Sequence, residues 1–357
     1  MKATVGIVGA GILGKLLALE LSNRGFEIFI FDRSHPTGPK GCSRAAAGML
    51  APFAELEKSE IEISILGERS LQIWPKIIKG LSKSVYFQQD GTLVVAHPHD
   101  RGELKRLQEV VLNKISNREV VREVGGPEIS ELEPDLGSRF SEGLFFPLEG
   151  QIAVRNVLKS LDLTLSERGV KVLWGVEAQP GINEIIVGSE KQRFDFVIDC
   201  RGLGAKENLP NLRGVRGEII SVKTRDVHLL RPIRLMHPRY PLYIVPRPFK
   251  HFLIGATSIE SDDDKPMTVQ SALELLSAAF VVHPGFAEAT ILELVVGCRP
   301  AFPDNLPKII YQKGLIRING LYRHGFLIAP AIVEYASQFL ETGGVPEEGR
   351  EFFEEGC

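Results

Sequence analysis

Residues 4–32 constrain the fold more than any other part of the chain. Val5, Ile7 and Val8 form a short apolar run that meets Gly9-Ala10-Gly11-Ile12-Leu13-Gly14 without an intervening loop. Leu13, Leu17 and Leu21 then recur at helical spacing beside Ile12 and Leu16, and Ile28, Phe29, Ile30 and Phe31 give a second apolar run closed by Asp32. The order is strand, glycine turn, helix, strand, acid. Each residue type has a task in a dinucleotide-binding βαβ unit. Gly9 permits the tight turn, Gly11 lets the backbone approach a pyrophosphate, and Gly14 lets the helix lie close to the sheet. The helix N-terminus offers free N–H groups and a positive dipole end to phosphate. Asp32 can accept from both hydroxyls of an adenosine ribose, and its charge disfavours a 2'-phosphate there. A glycine-rich turn that binds nothing is the bland alternative, but strand, helix and acid all stand where the fingerprint needs them. The motif by itself does not choose between NAD and FAD.

The 357 residues are 44% hydrophobic and 24% charged, with a net charge of -3, which suits two joined domains around a large core. That balance gives no reason to expect a nucleic acid or membrane surface as partner. No apolar stretch is long enough to span a bilayer. No basic segment leads into an apolar core and cleavage site, so the expectation is a cytoplasmic protein without a signal peptide. Cys42, Cys200, Cys298 and Cys357 are scattered without CxxC spacing, which argues against a disulfide framework or a zinc site and for reduced thiols.

Along the chain, residues 35–43 read as a turn-rich connection. The run Arg44-Ala45-Ala46-Ala47-Gly48-Met49 has small side chains suited to backbone passing close to a flat ligand, or to tight packing of a helix start. Residues 61–81 read as an amphipathic helix with Ile65, Ile73, Trp74, Ile77 and Ile78 as core. Residues 87–96 read as a hairpin turning at Asp90-Gly91, and Glu149-Gly150-Gln151 as a turn. An apolar strand ends at Gly202, where a cofactor crosses the strand ends of a doubly wound sheet. Residues 214–302 alternate or run β-branched and suggest an antiparallel sheet around one helix, 270–280. Residues 319–325 read as a second glycine-rich loop before a last helix at 331–340, and the Glu-rich tail as solvated.

Six segments now stand in one order: the Gly9–Gly14 turn with Asp32, Ala46-Ala47-Gly48-Met49-Leu50, Tyr243-Ile244-Val245-Pro246-Arg247, Gly255-Ala256-Thr257, Cys298-Arg299-Pro300, and the stretch from Tyr322 to Ala331. Together they resemble the glycine and D-amino-acid oxidase family of FAD enzymes, most nearly the bacterial glycine oxidases of thiamine biosynthesis, over residues 3–340. The resemblance implies an α/β fold: a Rossmann-like FAD domain from residues 1–55, 145–213 and 303–345, and a discontinuous α+β substrate domain from 56–144 and 214–302. It implies non-covalent FAD, a small amino-acid or amine substrate (glycine, a D-amino acid or sarcosine), and O2 as acceptor. Hydride would pass from the substrate Cα to flavin N5, leaving an imine, then an oxo acid, ammonia and peroxide; a homo-oligomer is also possible within the family.

Residue by residue, the resemblance makes Arg299 the grip on the substrate carboxylate, Tyr243 a wall of the same pocket, and Arg323 a second arginine near flavin and substrate. Gly325, Phe326 and Leu327 would touch the flavin ring from one side and Ala47, Gly48 and Met49 from the other. Val176 would offer its backbone amide to the adenine, with Arg33 and Gly202 also beside the cofactor. Chemistry supports the first assignment, since a guanidinium pairs bidentately with a carboxylate. Arg299 as an ion-pair arginine and Tyr243 as plain core remain the structural alternatives. The chain departs from the family at His324, where Asn is usual, and in the acidic run 258–264. Cys298 lies near the position where related sarcosine oxidases tether flavin covalently. A dehydrogenase feeding a quinone, and a non-catalytic FAD-binding protein, stay open beside the oxidase; NAD as sole cofactor would leave the Arg323–Gly325 loop unexplained.

Overall fold

The computed structural model describes residues 2–35, 41–137, 139–238 and 241–356; most of the expected turn-rich connection, at 36–40, lies outside them. Thr4–Val8 sits near the middle of a seven-stranded sheet, parallel to Glu27–Asp32 on one side and Phe196–Asp199 on the other. Both faces of these strands are covered, so they read as near-continuous apolar runs. Lys171–Trp174 closes one edge; Leu315–Asn319, Lys308–Gln312 and Phe353–Glu355 complete the other. The helices Ile12–Asn23, Ile61–Lys79, Val154–Glu167 and Gly325–Thr342 share one core with this sheet. Phe31, Val197 and Ile185 form a second core beneath a small antiparallel sheet of Ala178–Gly181, Glu184–Val187 and Glu190–Arg193.

The other layer is an eight-stranded sheet running from Thr290–Ala301 through Arg213–Lys223, His251–Gly255, Leu242–Arg247, Ile233–Met236, Thr92–Ala96 and Glu142–Phe146 to Arg122–Gly125. It is antiparallel except where Thr92–Ala96 runs parallel to Ile233–Met236. The helix Val269–Val282 packs Leu275, Ala279 and Val282 against Ile220, Ile244, Phe252 and Ile254 of this sheet. No helix among the described residues is long and apolar enough to cross a membrane.

Several sequence expectations are corrected. Residues 87–96 are not a hairpin: Phe87–Gln88 pairs with Gly150–Ile152 in a separate sheet, while Thr92–Ala96 lies inside the large one. Asp90-Gly91 does turn the chain, with Gly91 at φ +88°, but Thr92–Ala96 is buried throughout and needs neighbours on both sides. Glu149-Gly150-Gln151 is not a turn, since Gly150–Ile152 is the central strand of that smaller sheet. Ile65 is 52% exposed; the buried stripe of its helix is Ile63, Leu66, Leu71 and Trp74. The acidic tail is anchored, because Phe352 is buried and Phe353–Glu355 pairs with Lys308–Gln312.

The last helix starts at Gly325, not Ala331, and carries Pro330 inside it. Proline has no N–H for the carbonyl one turn back. That carbonyl, on Phe326, instead accepts from Trp74 Nε1 at 2.9 Å. The indole bond lets the helix run through the proline and brings Gly325, Phe326 and Leu327 into its first turn.

Candidate active site

The seven- and eight-stranded sheets flank a cavity of about 810 Å³, within the range that ligand pockets occupy. One end is the N-terminal glycine turn. Gly9 has φ +110°, and a Cβ there would lie 2.5 Å from the Cys200 carbonyl oxygen. A Cβ on Gly14 would lie 2.0 Å from the Gly9 oxygen. Gly11 caps the helix Ile12–Asn23 with no side chain of its own, and the Ile12 N–H donates to Ser43 Oγ at 3.1 Å. Asp32 accepts from the Ala10 N–H at 2.6 Å and the Ser34 N–H at 2.7 Å. A carboxylate has about four lone-pair sites, so the acid is fixed in place and still able to accept. Arg33, next to it, is exposed. The Val176 N–H donates to the Asp32 carbonyl at 3.0 Å, so this amide is already engaged by main chain. Gly202, at φ +56°, lines the cavity at the end of Phe196–Asp199.

The middle of the cavity is walled on one side by Ala47, Gly48 and Met49 and on another by Gly325, Phe326 and Leu327. Gly48 has φ +75°, and a Cβ there would sit 2.1 Å from the Ile152 carbonyl oxygen. Arg247, which sequence reasoning placed only within a motif, holds this wall. It donates to the carbonyls of Ala47 and Ile152 and to Gln151 Oε1. Burial pulls its pKa down to about 10, which leaves it charged at neutral pH.

At the far end the structure gathers Arg299, Tyr243 and Arg323. Arg299 projects from Thr290–Ala301, and its Nη1 donates to the Thr257 carbonyl at 3.2 Å. Gly217, on the neighbouring strand, leaves the room: a Cβ there would lie 2.1 Å from Nη2. Arg299 has no carboxylate partner among the described residues, and burial pulls its pKa down. Tyr243 sits against Gly255 in the sheet, and burial pushes its phenol up to about 12, so it is an O–H donor at neutral pH.

Sequence reasoning missed Glu55. Its Oε1 accepts from Arg323 Nη2 at 2.8 Å, and its Oε2 lies 3.9 Å from His324 Nδ1. Burial opposes ionisation, but Arg323, with Arg234 and Arg299 behind it, prevails and holds the carboxyl at about 2. His324 is buried, and burial chiefly brings it down to about 4, so the ring is neutral at pH 7. Behind this group, Glu149 Oε1 accepts from the N–H groups of Phe53 and Ala54 at 2.8 and 2.7 Å, fixing the segment that carries Glu55. Cys298 faces away from the cavity toward the Asp263 carbonyl at 3.4 Å, whereas Cys42 and Cys200 line it. Gly11 and Gly202 at one end and Gly48 and Gly325 in the middle line the cavity without side chains, a long floor suited to FAD. Its phosphates fit at Gly11 and its ring fits between the two central walls.

The sequence profile of the family described as FAD dependent oxidoreductase matches residues 4–338. A protein named as the thiamine biosynthesis oxidoreductase ThiO of Rhizobium etli is 42% identical over 340 residues, spanning 95% of this chain and 97% of its own. Among solved structures, iminodiacetate oxidase from Chelativorans sp. superposes with a TM-score of 0.85 over 99% of both chains at 24% identity. Glycine oxidase from Geobacillus kaustophilus does so with 0.81 over 95% of both at 22%. At those identities the structural likeness is one of fold.

Proposed function

The chain belongs to the family of FAD-dependent oxidoreductases, and from that premise we propose that it oxidises the amine of glycine or another small amino acid and passes the electrons to O2. It is a FAD enzyme of the glycine oxidase and ThiO type. The observation that carries the finer reading is Arg299, a buried guanidinium in the cavity with no carboxylate of its own. Such a group suits the two-pronged capture of a substrate carboxylate.

In this reading Gly9, Gly11, Gly14 and Asp32 hold the adenosine and pyrophosphate of FAD, with Arg33, Val176 and Gly202 around them. Ala47, Gly48 and Met49 face the ring opposite Gly325, Phe326 and Leu327. FAD bound there supplies the hydride acceptor. Arg299 fixes the carboxylate, and Tyr243 donates its O–H beside it. Arg323 is neutralised by Glu55, so it orients without adding a free charge. Fixing the carboxylate leaves the Cα–H as the part of the substrate presented to the ring, which is catalysis by positioning. No residue here takes the ammonium proton. A carboxylate held at about 2 and an imidazole at about 4 are far too weak as bases, so the substrate must arrive as the neutral amine. In this account the residue pieces 1–55, 145–213 and 303–345 form the FAD side of the cavity and 56–144 with 214–302 the substrate side, except that the helix Ile61–Lys79 packs in the core of the FAD side.

The test is aerobic incubation of the FAD-loaded protein with glycine, sarcosine and D-alanine. Peroxide and oxo acid in equal amounts support the oxidase reading. Turnover only with an added quinone assigns the dehydrogenase instead.

A further inference from the structure

The charged groups lining the substrate end do not balance. Arg234 is buried and paired with Glu57, Nη2 to Oε1, at 2.5 Å. Arg323 is paired with Glu55. Glu274, on the helix Val269–Val282, accepts from the neutral Gln270 at 3.0 Å and remains one anion at the cavity. Against that one anion, two cations have no ion-pair partner among the described residues: Arg299, and Lys58 in the short Leu56–Lys58 turn immediately after Glu55. The Lys58 N–H donates to the Glu55 carbonyl at 3.0 Å, but its ammonium has no hydrogen bond or ion pair among the described residues and the residue stands exposed at the rim of the same cavity. The charges that act on it are Glu57, Arg234, Arg323 and Glu55, at the substrate end. None belongs to the glycine turn, so Lys58 is not placed to serve the phosphates of FAD.

Glycine has one carboxylate and satisfies Arg299 alone. We propose that Lys58 extends the pocket to amino acids bearing a second carboxylate, Arg299 holding the α-carboxylate and Lys58 the distal one. This rests on the amino-acid reading above and narrows it to a substrate class: acidic amino acids or N-carboxyalkyl glycines. A lysine suits the distal position. Its ammonium is a point charge on a flexible stem, tolerant of where the second carboxylate falls, whereas the rigid fork of Arg299 demands one geometry.

The experiment uses the FAD-loaded protein and non-oxidisable acids matched in length: propionate against malonate, butyrate against succinate, and valerate against glutarate. Dissociation constants are read from perturbation of the flavin absorbance. Lys58→Met, which keeps length and removes charge, should weaken the preferred dicarboxylate about fivefold, the upper range for a partly exposed ion pair. Each monocarboxylate should stay within about twofold, and Lys58→Arg should retain the preference. Monocarboxylate binding with no change in dicarboxylate affinity on Lys58→Met overturns the proposal alone. So does an equal loss for both classes, which would make Lys58 a general attractor of anions. If no carboxylate perturbs the flavin, the amino-acid reading falls and this proposal with it.

Discussion

Replacing Arg299 by alanine separates the substrate site from the cofactor site. Among the described residues the guanidinium makes one hydrogen bond, to the Thr257 carbonyl, worth about 1 kcal/mol net. Removing it also removes a buried cation with no carboxylate partner, so the melting temperature should move little. Its hydrogen-bond partner Thr257 is not part of the glycine turn, so FAD content should not change. Loss of one side of a buried charge pair costs about 2–5 kcal/mol. At about 1.4 kcal/mol per tenfold, kcat/KM for glycine should fall roughly 30- to 5,000-fold. Arg299→Lys should recover part, since an ammonium cannot form the two-pronged contact. Gly217→Ala offers a control that leaves the arginine in the sequence: its new Cβ would lie 2.1 Å from Nη2, so the guanidinium must move and activity should fall without loss of flavin. A simple alkylamine should be nearly indifferent to Arg299→Ala. Flavin content, melting temperature and efficiency for glycine and the alkylamine on the same variants decide the matter. If Arg299→Ala turns over amino acids as well as the parent, the carboxylate-anchor reasoning is wrong. Lost flavin with equal loss for both substrates would make Arg299 a structural residue.

Three further outcomes follow from the same geometry. Gly14→Ala puts a Cβ 2.0 Å from the Gly9 oxygen, so it should yield a folded but largely colourless protein; normal FAD content on denaturation would contradict the phosphate cradle. With limiting substrate, kcat/KM should rise about tenfold per pH unit while the substrate ammonium dominates, because Glu55, His324 and Tyr243, at about 2, 4 and 12, do not titrate between pH 6 and 10; a flat profile there would require a base in the site. Glu149 titrates at about 7 in the fold against an ordinary 4.5, chiefly through burial. Its contribution is therefore intact below pH 4.5 and lost as pH rises through 7. Glu149→Gln should accordingly match the parent near pH 4.5 and exceed its stability by about 3 kcal/mol at pH 8, at 1.36 kcal/mol per pKa unit. Equal melting temperatures at pH 8 would show that the carboxylate is solvated there.

The nucleotide turn was legible because its constraints are local. The Gly14 position is filled by the oxygen of Gly9 five residues before it, the φ of +110° at Gly9 belongs to the turn itself, and the helical and strand periods around them are unbroken. Arg299, Tyr243 and Arg323 were found through the order of motifs, since nothing in their own spacing brings three distant segments to one cavity. Glu55 was not legible: its role arises from Arg323, 268 positions away, and in the sequence it is one acid among several after Met49. The start of the last helix was misread because Pro330 signals a break, and only the distant Trp74 indole supplies the missing donor. The tail was misread because its glutamates outnumber Phe352 and Phe353, which alone decide where it packs.

The central claim is that one cavity holds both FAD and an amino acid with its Cα–H against the ring. Its most direct test is to mix the FAD-loaded protein anaerobically with glycine, sarcosine, D-alanine and D-aspartate and follow the flavin absorbance. The account predicts that at least one amino acid bleaches the band and that Arg299→Ala, equally yellow, bleaches far more slowly. A band that dithionite removes but no amino acid changes would contradict it.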